Sequence, residues 1–161
     1  MPTVHLLHGF VGAGKTTFAA KLARQNCAVV FTPDKWMLRL FGRNPPAQEF
    51  ADCLARVTDL IFNVASDVLV VDRDVILDFG FWTRLSRDHA REWAGIRGAN
   101  VTLYQLIADE SVLRKRVAQR TTNDPESLMI DEYAFDLFKA RFEPLAEDEV
   151  HLKVPASGVA P

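Results

Sequence analysis

Cysteine is scarce in this sequence, and that scarcity excludes a disulfide scaffold and a cysteine-rich metal site. Neither Cys27 nor Cys53 has a Cys or His nearby at the spacing of metal ligands. We expect both to be buried, free thiols in a reducing compartment. No apolar run approaches the ~20 residues that a membrane-spanning helix needs, and no signal-peptide pattern precedes the first glycines. The sequence therefore predicts a cytoplasmic protein without a membrane partner.

An excess of charge of one sign is also absent, because the formal net charge is −2 over 161 residues. Without an overall positive field, binding to a polynucleotide is not favoured. Charges are nevertheless segregated: residues 84–120 contain eight Arg or Lys and four Asp or Glu, whereas residues 121–153 contain three and nine. Repeats and low-complexity linkers are missing too. We expect one domain over residues 1–154, followed by a frayed tail at 155–161.

The sequence does contain a regular alternation of short apolar runs and amphipathic segments. Strands are predicted at residues 4–7, 28–31, 75–78, 101–107 and 150–154. Helices are predicted at residues 15–25, 35–41, 47–68, 83–96, 109–119 and 133–142. This order predicts an α/β domain of three layers with a mostly parallel, five-stranded sheet.

The first glycines belong to a complete phosphate-binding motif. Residues 9–16 read GFVGAGKT, which matches G-x-x-x-x-G-K-[ST] between a predicted strand and a predicted helix. The three glycines let the backbone curl with its N–H groups inward, which makes an anion site at the helix N-terminus. We expect Lys15 to reach the β- and γ-phosphates of ATP, and Thr16 to bind Mg²⁺. The predicted nucleotide-binding residues are Gly9, Gly12, Ala13, Gly14, Lys15, Thr16 and Thr17.

A dinucleotide-binding loop is the alternative interpretation of these glycines. Residues 12–14 begin such a motif, and Asp34 follows about twenty residues later, where an acid would bind a ribose. However, Thr17 occupies the position of the third glycine. Lys15 and Thr16 would also have no role in that loop, so a P-loop is favoured.

Two aspartates follow predicted strands and are candidates for chemistry. Asp34, after the second strand, is either a general base that takes a proton from an attacking hydroxyl or the N-cap of the helix at 35–41. Asp78, at the end of the third strand, is either an acid that helps to hold Mg²⁺ or an ordinary residue at a strand end. The tripeptide at 78–80 reads DFG, but no His-Arg-Asp loop accompanies it, which excludes a protein kinase.

Several arginines share helix faces. Arg116 and Arg120 lie four residues apart, so they either close on phosphates or form a solvated face. A second set on one face is Arg84, Arg87 and Arg91. We interpret this second set as solvated surface, and the acidic residues 147–149 as part of a surface turn.

The motifs, in this order, resemble the small P-loop kinases often labelled AAA family ATPases, which are similar to the kinase domain of polynucleotide kinase, to chloramphenicol phosphotransferase and to zeta toxins. The resemblance is carried by residues 9–17, 34–37, 75–84, 113–116, 120, 141–144 and 147–149. It implies an adenylate-kinase-like sheet in which the Asp78 strand lies beside the P-loop strand. It also implies that Asp34 is the general base, and that Arg116 and Arg120 belong to a short helical lid at about 114–130.

The resemblance implies a kinase that transfers the γ-phosphoryl group of ATP to a hydroxyl of a small molecule, with Lys15, Asp34, Arg116 and Arg120 as its catalytic residues. Met37 stands where polynucleotide kinases have an arginine, which argues against a nucleic-acid acceptor. The apolar residues within 36–41 suit a compact organic molecule. Alternatives are a nucleotide-dependent switch or ATPase without a small acceptor, and a kinase of nucleosides or of 5′-hydroxyl nucleic-acid ends.

Overall fold

The computed structural model describes residues 1–124, 127 and 129–155. Its strands are β1 (Thr3–His8), β2 (Val29–Phe31), β3 (Val75–Gly80), β4 (Asn100–Ile107) and β5 (Leu152–Pro155). Its helices are α1 (Lys15–Asn26), α2 (Pro33–Phe41), α3 (Ala47–Val70), α4 (Arg84–Ile96), α5 (Glu110–Asn123) and α6 (Glu132–Arg141). This alternation confirms the predicted α/β class. Apart from Pro155, which ends β5, the predicted tail lies outside the described residues.

The five strands form one parallel sheet in the order β2-β3-β1-β4-β5. Strand β1 is central, and Leu6 aligns with Leu77 of β3 on one side and with Leu103 of β4 on the other. The strand that carries Asp78 therefore lies beside the strand that leads into the phosphate loop, as predicted.

Both faces of the sheet are covered, which explains why its central strands are apolar throughout. Val4 and Leu6 of β1 belong to one core, together with buried residues of α3 and α4 such as Ile61 and Trp93. Leu7 of β1 belongs to a second core, formed with buried residues of α1, α5 and α6. Successive side chains of β1 thus contribute to two cores, one on each face of the sheet. The sheet and the helices on its two faces form the three predicted layers.

Loops at the carboxyl edge of the sheet bring the candidate residues together. In a parallel α/β sheet every strand points its carboxyl end to this edge, where ligands of such folds bind. The phosphate loop follows β1, α2 follows β2, and α5 follows β4. Asp78 lies within β3, two residues before its end.

Two local expectations were wrong. Helix α5 continues to Asn123, four residues beyond its predicted end at residue 119. Cys27 is exposed and Cys53 is half-buried, so they are not the buried thiols that were expected. Cys27 follows α1 in a left-handed conformation with φ of 52°, at a helix end that projects into solvent. Over the part of the chain that the structure describes, no helix combines the length and the apolar character needed to cross a membrane.

Candidate active site

The phosphate loop connects β1 to α1 across residues 9–14. Gly12 and Gly14 have φ angles of 80° and 89°, a left-handed conformation that glycine adopts at little cost. Gly14 is also the N-cap of α1, and it has no side chain that could occupy the first N–H groups of the helix. Those N–H groups are therefore available to an anion.

Helix α5 packs directly on the phosphate loop. A Cβ atom on Gly12 would lie 3.0 Å from the Leu113 carbonyl oxygen and 3.2 Å from the Val117 side chain. The Arg116 guanidinium donates a hydrogen bond to the Gly12 carbonyl oxygen at 3.2 Å. Glycine is thus required at position 12 both by its φ angle and by the closeness of α5.

Lys15, Thr16 and Asp78 form a charged cluster at the start of α1. The Lys15 ammonium donates a hydrogen bond to the Phe10 carbonyl oxygen at 2.9 Å, and the Thr16 hydroxyl donates one to an Asp78 carboxylate oxygen at 2.8 Å. Burial lowers the pKa of Lys15, and the charge of Asp78 opposes that fall. Burial also raises the pKa of Asp78, whereas the charge of Lys15 lowers it.

Thr16 and Asp78 are the oxygen ligands predicted for Mg²⁺, and their arrangement fits that ion. The Thr32 hydroxyl donates to the same Asp78 oxygen as Thr16 does, at 3.2 Å. Magnesium at phosphate sites takes one or two protein ligands and completes its shell with phosphate oxygens and water. Within residues 1–124, 127 and 129–155, no group of three or more His, Cys, Asp or Glu side chains could hold a metal by itself. Phosphates would therefore have to supply further ligands.

Asp34 lies in the first turn of α2, where it is exposed. Thr32 holds the cap position and Pro33 begins the helix, so the alternative interpretation of Asp34 as the N-cap is wrong. The negative charge of Asp34 opposes the burial-induced fall in the pKa of Lys15 and adds to the rise in the pKa of Asp78. An exposed carboxylate is thus within electrostatic range of the phosphate loop.

The apolar residues that follow Asp34 do not all face solvent. Met37 is fully buried in the core, and the half-buried Trp36 packs near Phe31 with ring centroids 6.3 Å apart. Leu40 and Phe41 are exposed. The apolar surface available to a ligand on α2 is therefore smaller than the sequence suggested.

Arg116 and Arg120 both approach the phosphate loop. Each is half-buried, and Arg116 makes the hydrogen bond to Gly12 described above. After burial itself, the charge of Arg120 is a further cause of the lowered pKa of Lys15. Arg116 is therefore not part of a solvated helix face, and Arg120 lies within electrostatic range of Lys15. The predicted lid range of 114–130 includes residues 125, 126 and 128, which lie outside the described part of the chain.

A tight turn directly after β3 is fixed to the phosphate loop. Phe81 is buried and has φ of 45°, a left-handed conformation that costs a non-glycine residue roughly 1–3 kcal/mol. The Gly9 N–H donates a hydrogen bond to the Gly80 carbonyl oxygen at 3.2 Å. The Trp82 indole N–H donates one to the Gly9 carbonyl oxygen at 3.2 Å. The turn and the loop therefore hold each other in position.

Arg87 lies buried beneath that turn, so the prediction of a solvated face is wrong for this residue. Its guanidinium donates two hydrogen bonds of 2.8 Å to the Glu149 carboxylate, and both side chains are only 1% exposed. It also donates to the Phe81 carbonyl oxygen at 3.0 Å, and Arg91 adds a third hydrogen bond to Glu149 at 2.7 Å. The surface-turn interpretation of residues 147–149 is therefore wrong for Glu149.

Thr32, Trp82 and Glu149 support the site and were not predicted from the sequence. The opposite charge bias of residues 84–120 and 121–153 was the available signal for the pairing of Arg87 with Glu149. Thr32 and Trp82 act through single hydrogen bonds, which leave no pattern in a sequence.

A known family model matches most of the chain. A model of the family described as an AAA domain matches residues 4–145, which is most of the chain. None of the curated proteins compared with the chain has significant sequence similarity to it.

Solved structures with a similar fold include several proteins described as kinases. A protein described as a kinase, from Chloroflexus aurantiacus J-10-fl, is 18% identical, with a TM-score of 0.75 over 96% of this chain and 88% of that chain. The APS kinase CysC of Mycobacterium tuberculosis, solved with AMPPNP and APS, is 16% identical, with a TM-score of 0.64 over 96% and 88%. A chain of the Pnkp1/Rnl/Hen1 RNA repair complex is 21% identical, with a TM-score of 0.68 over 87% and 43%. These likenesses confirm the predicted fold.

Proposed function

The chain belongs to the AAA domain family, and from that premise we propose that it is a P-loop kinase that transfers the γ-phosphoryl group of ATP to a hydroxyl of a small molecule. The observation that carries the proposal is the exposed carboxylate of Asp34 within electrostatic range of Lys15. A switch or ATPase needs a group that orients water more than it needs a base after the second strand.

Each residue of the cluster has a role in the proposed reaction. Backbone N–H groups of the phosphate loop and of the first turn of α1 bind the phosphates, although the Gly9 and Ala13 N–H groups already donate to Gly80 and Phe10. Lys15 neutralises charge on the β- and γ-phosphates. Thr16 and Asp78 would hold Mg²⁺, which when bound supplies positive charge between phosphate oxygens. Asp34 accepts the proton of the attacking hydroxyl.

Arg116 and Arg120 complete the proposed site from the side of α5. Guanidinium groups donate hydrogen bonds in a fixed planar geometry that matches phosphate oxygens. In the transition state, the negative charge on the oxygens of the transferred phosphoryl group is distributed differently from that in bound ATP. Hydrogen-bond donors on α5 therefore stabilise the transition state more than they stabilise bound ATP.

A small, neutral or modestly polar acceptor is proposed rather than a polynucleotide. Polynucleotide binding generally uses several phosphate contacts from Lys and Arg, whereas the net charge here is −2. Arg87 and Arg91, which belong to the basic segment at 84–120, are engaged by Glu149. The neighbour solved with APS acts as a precedent for a small molecule on this fold, and the RNA repair complex is the precedent for the alternative.

ATP turnover with and without acceptors tests the proposal. Purified protein, MgATP and a panel of sugars, nucleosides, aminoglycoside-like and chloramphenicol-like alcohols and 5′-hydroxyl oligonucleotides would be assayed for ADP release. Release that depends on one of the small alcohols supports the kinase. Steady hydrolysis that no acceptor changes would instead support an ATPase. Efficient labelling of the oligonucleotide alone, falling steeply as salt rises, would support the nucleic-acid alternative.

Replacing Lys15 by alanine is expected to weaken MgATP binding by roughly 10- to 100-fold, the effect of losing a hydrogen bond to a charged group. The melting temperature should stay nearly unchanged, because burial of the ammonium carries a cost that lowers its pKa and its hydrogen bond within the described residues is to one backbone carbonyl, that of Phe10. Calorimetric titration with MgATP measures the affinity. Lys21→Ala, on the exposed side of α1, is the matched control, and wild-type affinity in the Lys15 variant would rule out the phosphate-loop assignment.

Replacing Arg120 by alanine is expected to lower kcat by roughly 10- to 100-fold while raising KM for ATP less. The reason is that its contact with phosphate would strengthen as charge develops in the transition state. Steady-state kinetics with a working acceptor separates the two parameters. Lys115→Ala, exposed on the same helix, serves as the control. An unchanged kcat in the Arg120 variant would remove this residue from the proposed mechanism.

A further inference from the structure

Arg43, which lies between α2 and α3, reaches across to the end of α5. Its guanidinium donates hydrogen bonds to three backbone carbonyl oxygens: Thr121 at 3.2 Å, Asp124 at 3.2 Å and Ser127 at 3.1 Å. In the other direction, the Met129 N–H donates to the Arg43 carbonyl oxygen at 3.4 Å. Arg43 is half-buried, so these contacts are partly shielded from water.

Two of these carbonyls lie at the end of α5: Thr121 is in its last turn and Asp124 directly follows it, whereas Ser127 lies three residues further on. The last four carbonyl groups of a helix have no N–H partner within that helix. They also form the negative end of the helix dipole. A cation with several donors satisfies both needs at once. Arginine suits this position better than lysine, because its planar fork offers five N–H donors in fixed directions.

Helix α5 is thereby fixed at two places. Toward its start, Leu113 and Val117 pack against Gly12 of the phosphate loop. At its end, Arg43 holds the terminal carbonyls. Arg116 lies within the first attachment and Arg120 lies between the two, so the placement of both side chains depends on how α5 is held.

We infer that Arg43 is a positioning residue of the phosphotransfer site: it ties the chain that follows the Asp34 helix to the end of α5, and so keeps Arg116 and Arg120 directed at the phosphate loop. One side chain then joins the segment after α2, the helix of Asp34, to the end of the helix that carries Arg116 and Arg120. The kinetic part of this inference rests on the proposed function. The structural part does not.

Arg43→Ala and Arg43→Lys test the inference, with Arg56→Ala as control. Arg56 is exposed on α3, and the structure gives it no hydrogen bond or ion pair within the described residues. Hydrogen exchange of amides 117–123 is measured with and without MgATP. We expect exchange there to accelerate roughly 5- to 30-fold in Arg43→Ala, less in Arg43→Lys, and not at all in Arg56→Ala.

Kinetics separates positioning from a purely structural role. With a working acceptor, kcat should fall roughly 5- to 30-fold in Arg43→Ala with a smaller change in KM for ATP, and Arg43→Lys should recover part of it. Unchanged exchange at 117–123 would overturn the inference. So would faster exchange with unchanged kcat, which would make Arg43 a stabilising contact only. If Arg43→Ala does not fold, Arg43→Lys carries both measurements under the same criteria.

The two proposals fail in different ways. If the wild-type protein phosphorylates no acceptor, the proposed function fails, but MgATP should still slow exchange at 117–123 less in Arg43→Ala than in the wild type. Equal slowing in both proteins would overturn the inference about Arg43 independently of any turnover.

Discussion

Replacing Asp34 by asparagine is expected to lower phosphoryl transfer by roughly 10²–10⁴-fold, the usual contribution of a general base. Asparagine keeps the size and polarity of the side chain but cannot accept the proton of an attacking hydroxyl. Nucleotide affinity should change little, because Lys15 and the phosphate loop remain intact. The fold should also survive, since an acid in the first turn of a helix adds only about 0.3–1 kcal/mol and Asp34 is exposed.

Measuring kcat, ATP affinity and melting temperature on one preparation decides the role of Asp34. Asp52→Asn is the matched control, because Asp52 is exposed on the neighbouring helix α3. A large fall in kcat with normal ATP affinity is the expected result. Near-normal turnover in Asp34→Asn would mean that the attacking hydroxyl loses its proton elsewhere, and the proposed mechanism would be wrong.

Replacing Glu149 by alanine is expected to destabilise the protein by about 3–5 kcal/mol, because it leaves the buried Arg87 guanidinium without its partner. The side chains of Arg87 and Glu149 are each only 1% exposed, so water cannot replace the lost carboxylate. Urea unfolding measures the change, and Glu147→Ala, two residues away and exposed, should lie within about 0.5 kcal/mol of the wild type. An equally small change in Glu149→Ala would show that Arg87 readily finds other acceptors.

The contribution of Glu149 should also depend on pH. Hydrogen bonds from Arg87 hold the pKa of Glu149 far below its usual range. A carboxyl group whose pKa is lowered on folding stabilises the protein above its unfolded pKa, about 4.3 for glutamate, and that stabilisation is lost as the pH falls toward the folded pKa. The stability difference between wild type and Glu149→Ala should therefore be constant from pH 6 to 7 and shrink below about pH 4. A difference that did not shrink in acid would contradict this linkage.

The phosphate loop could be predicted from the sequence because its determinants are local. A strand, six loop residues and a helix are read from neighbouring positions, and the glycine φ angles follow from the loop itself. The position of the Asp78 strand beside the P-loop strand also followed, because the resemblance over most of the chain implied it. In contrast, the start of α2 was misjudged by two residues: Pro33 begins the helix, and this moved Asp34 from the cap into the first turn.

The contacts that the sequence did not reveal join distant segments. Arg87 and Glu149 are separated by 62 positions. The sequence pattern of an amphipathic helix is the same whether its arginine is solvated or is paired with a buried carboxylate. The reach of Arg43 to Ser127 spans 84 positions and ends on backbone carbonyls, which every residue possesses. Such contacts depend on how the helices and strands pack against one another. Neither the composition nor the periodicity of the sequence predicts that packing.

The central position of β1 has a consequence for synthesis of the chain. Of the five strands, β1 and β2 leave the ribosome before the others, but they are not neighbours, because β3 lies between them in the sheet. No part of the sheet can form until residues 75–80 have emerged, and the second partner of β1 follows only at 100–107. At about 5–20 residues per second, the apolar strands at Thr3–His8 and Val29–Phe31 remain unpaired for seconds. Nascent chains are thus most prone to aggregate, or to be held by a chaperone, in that interval.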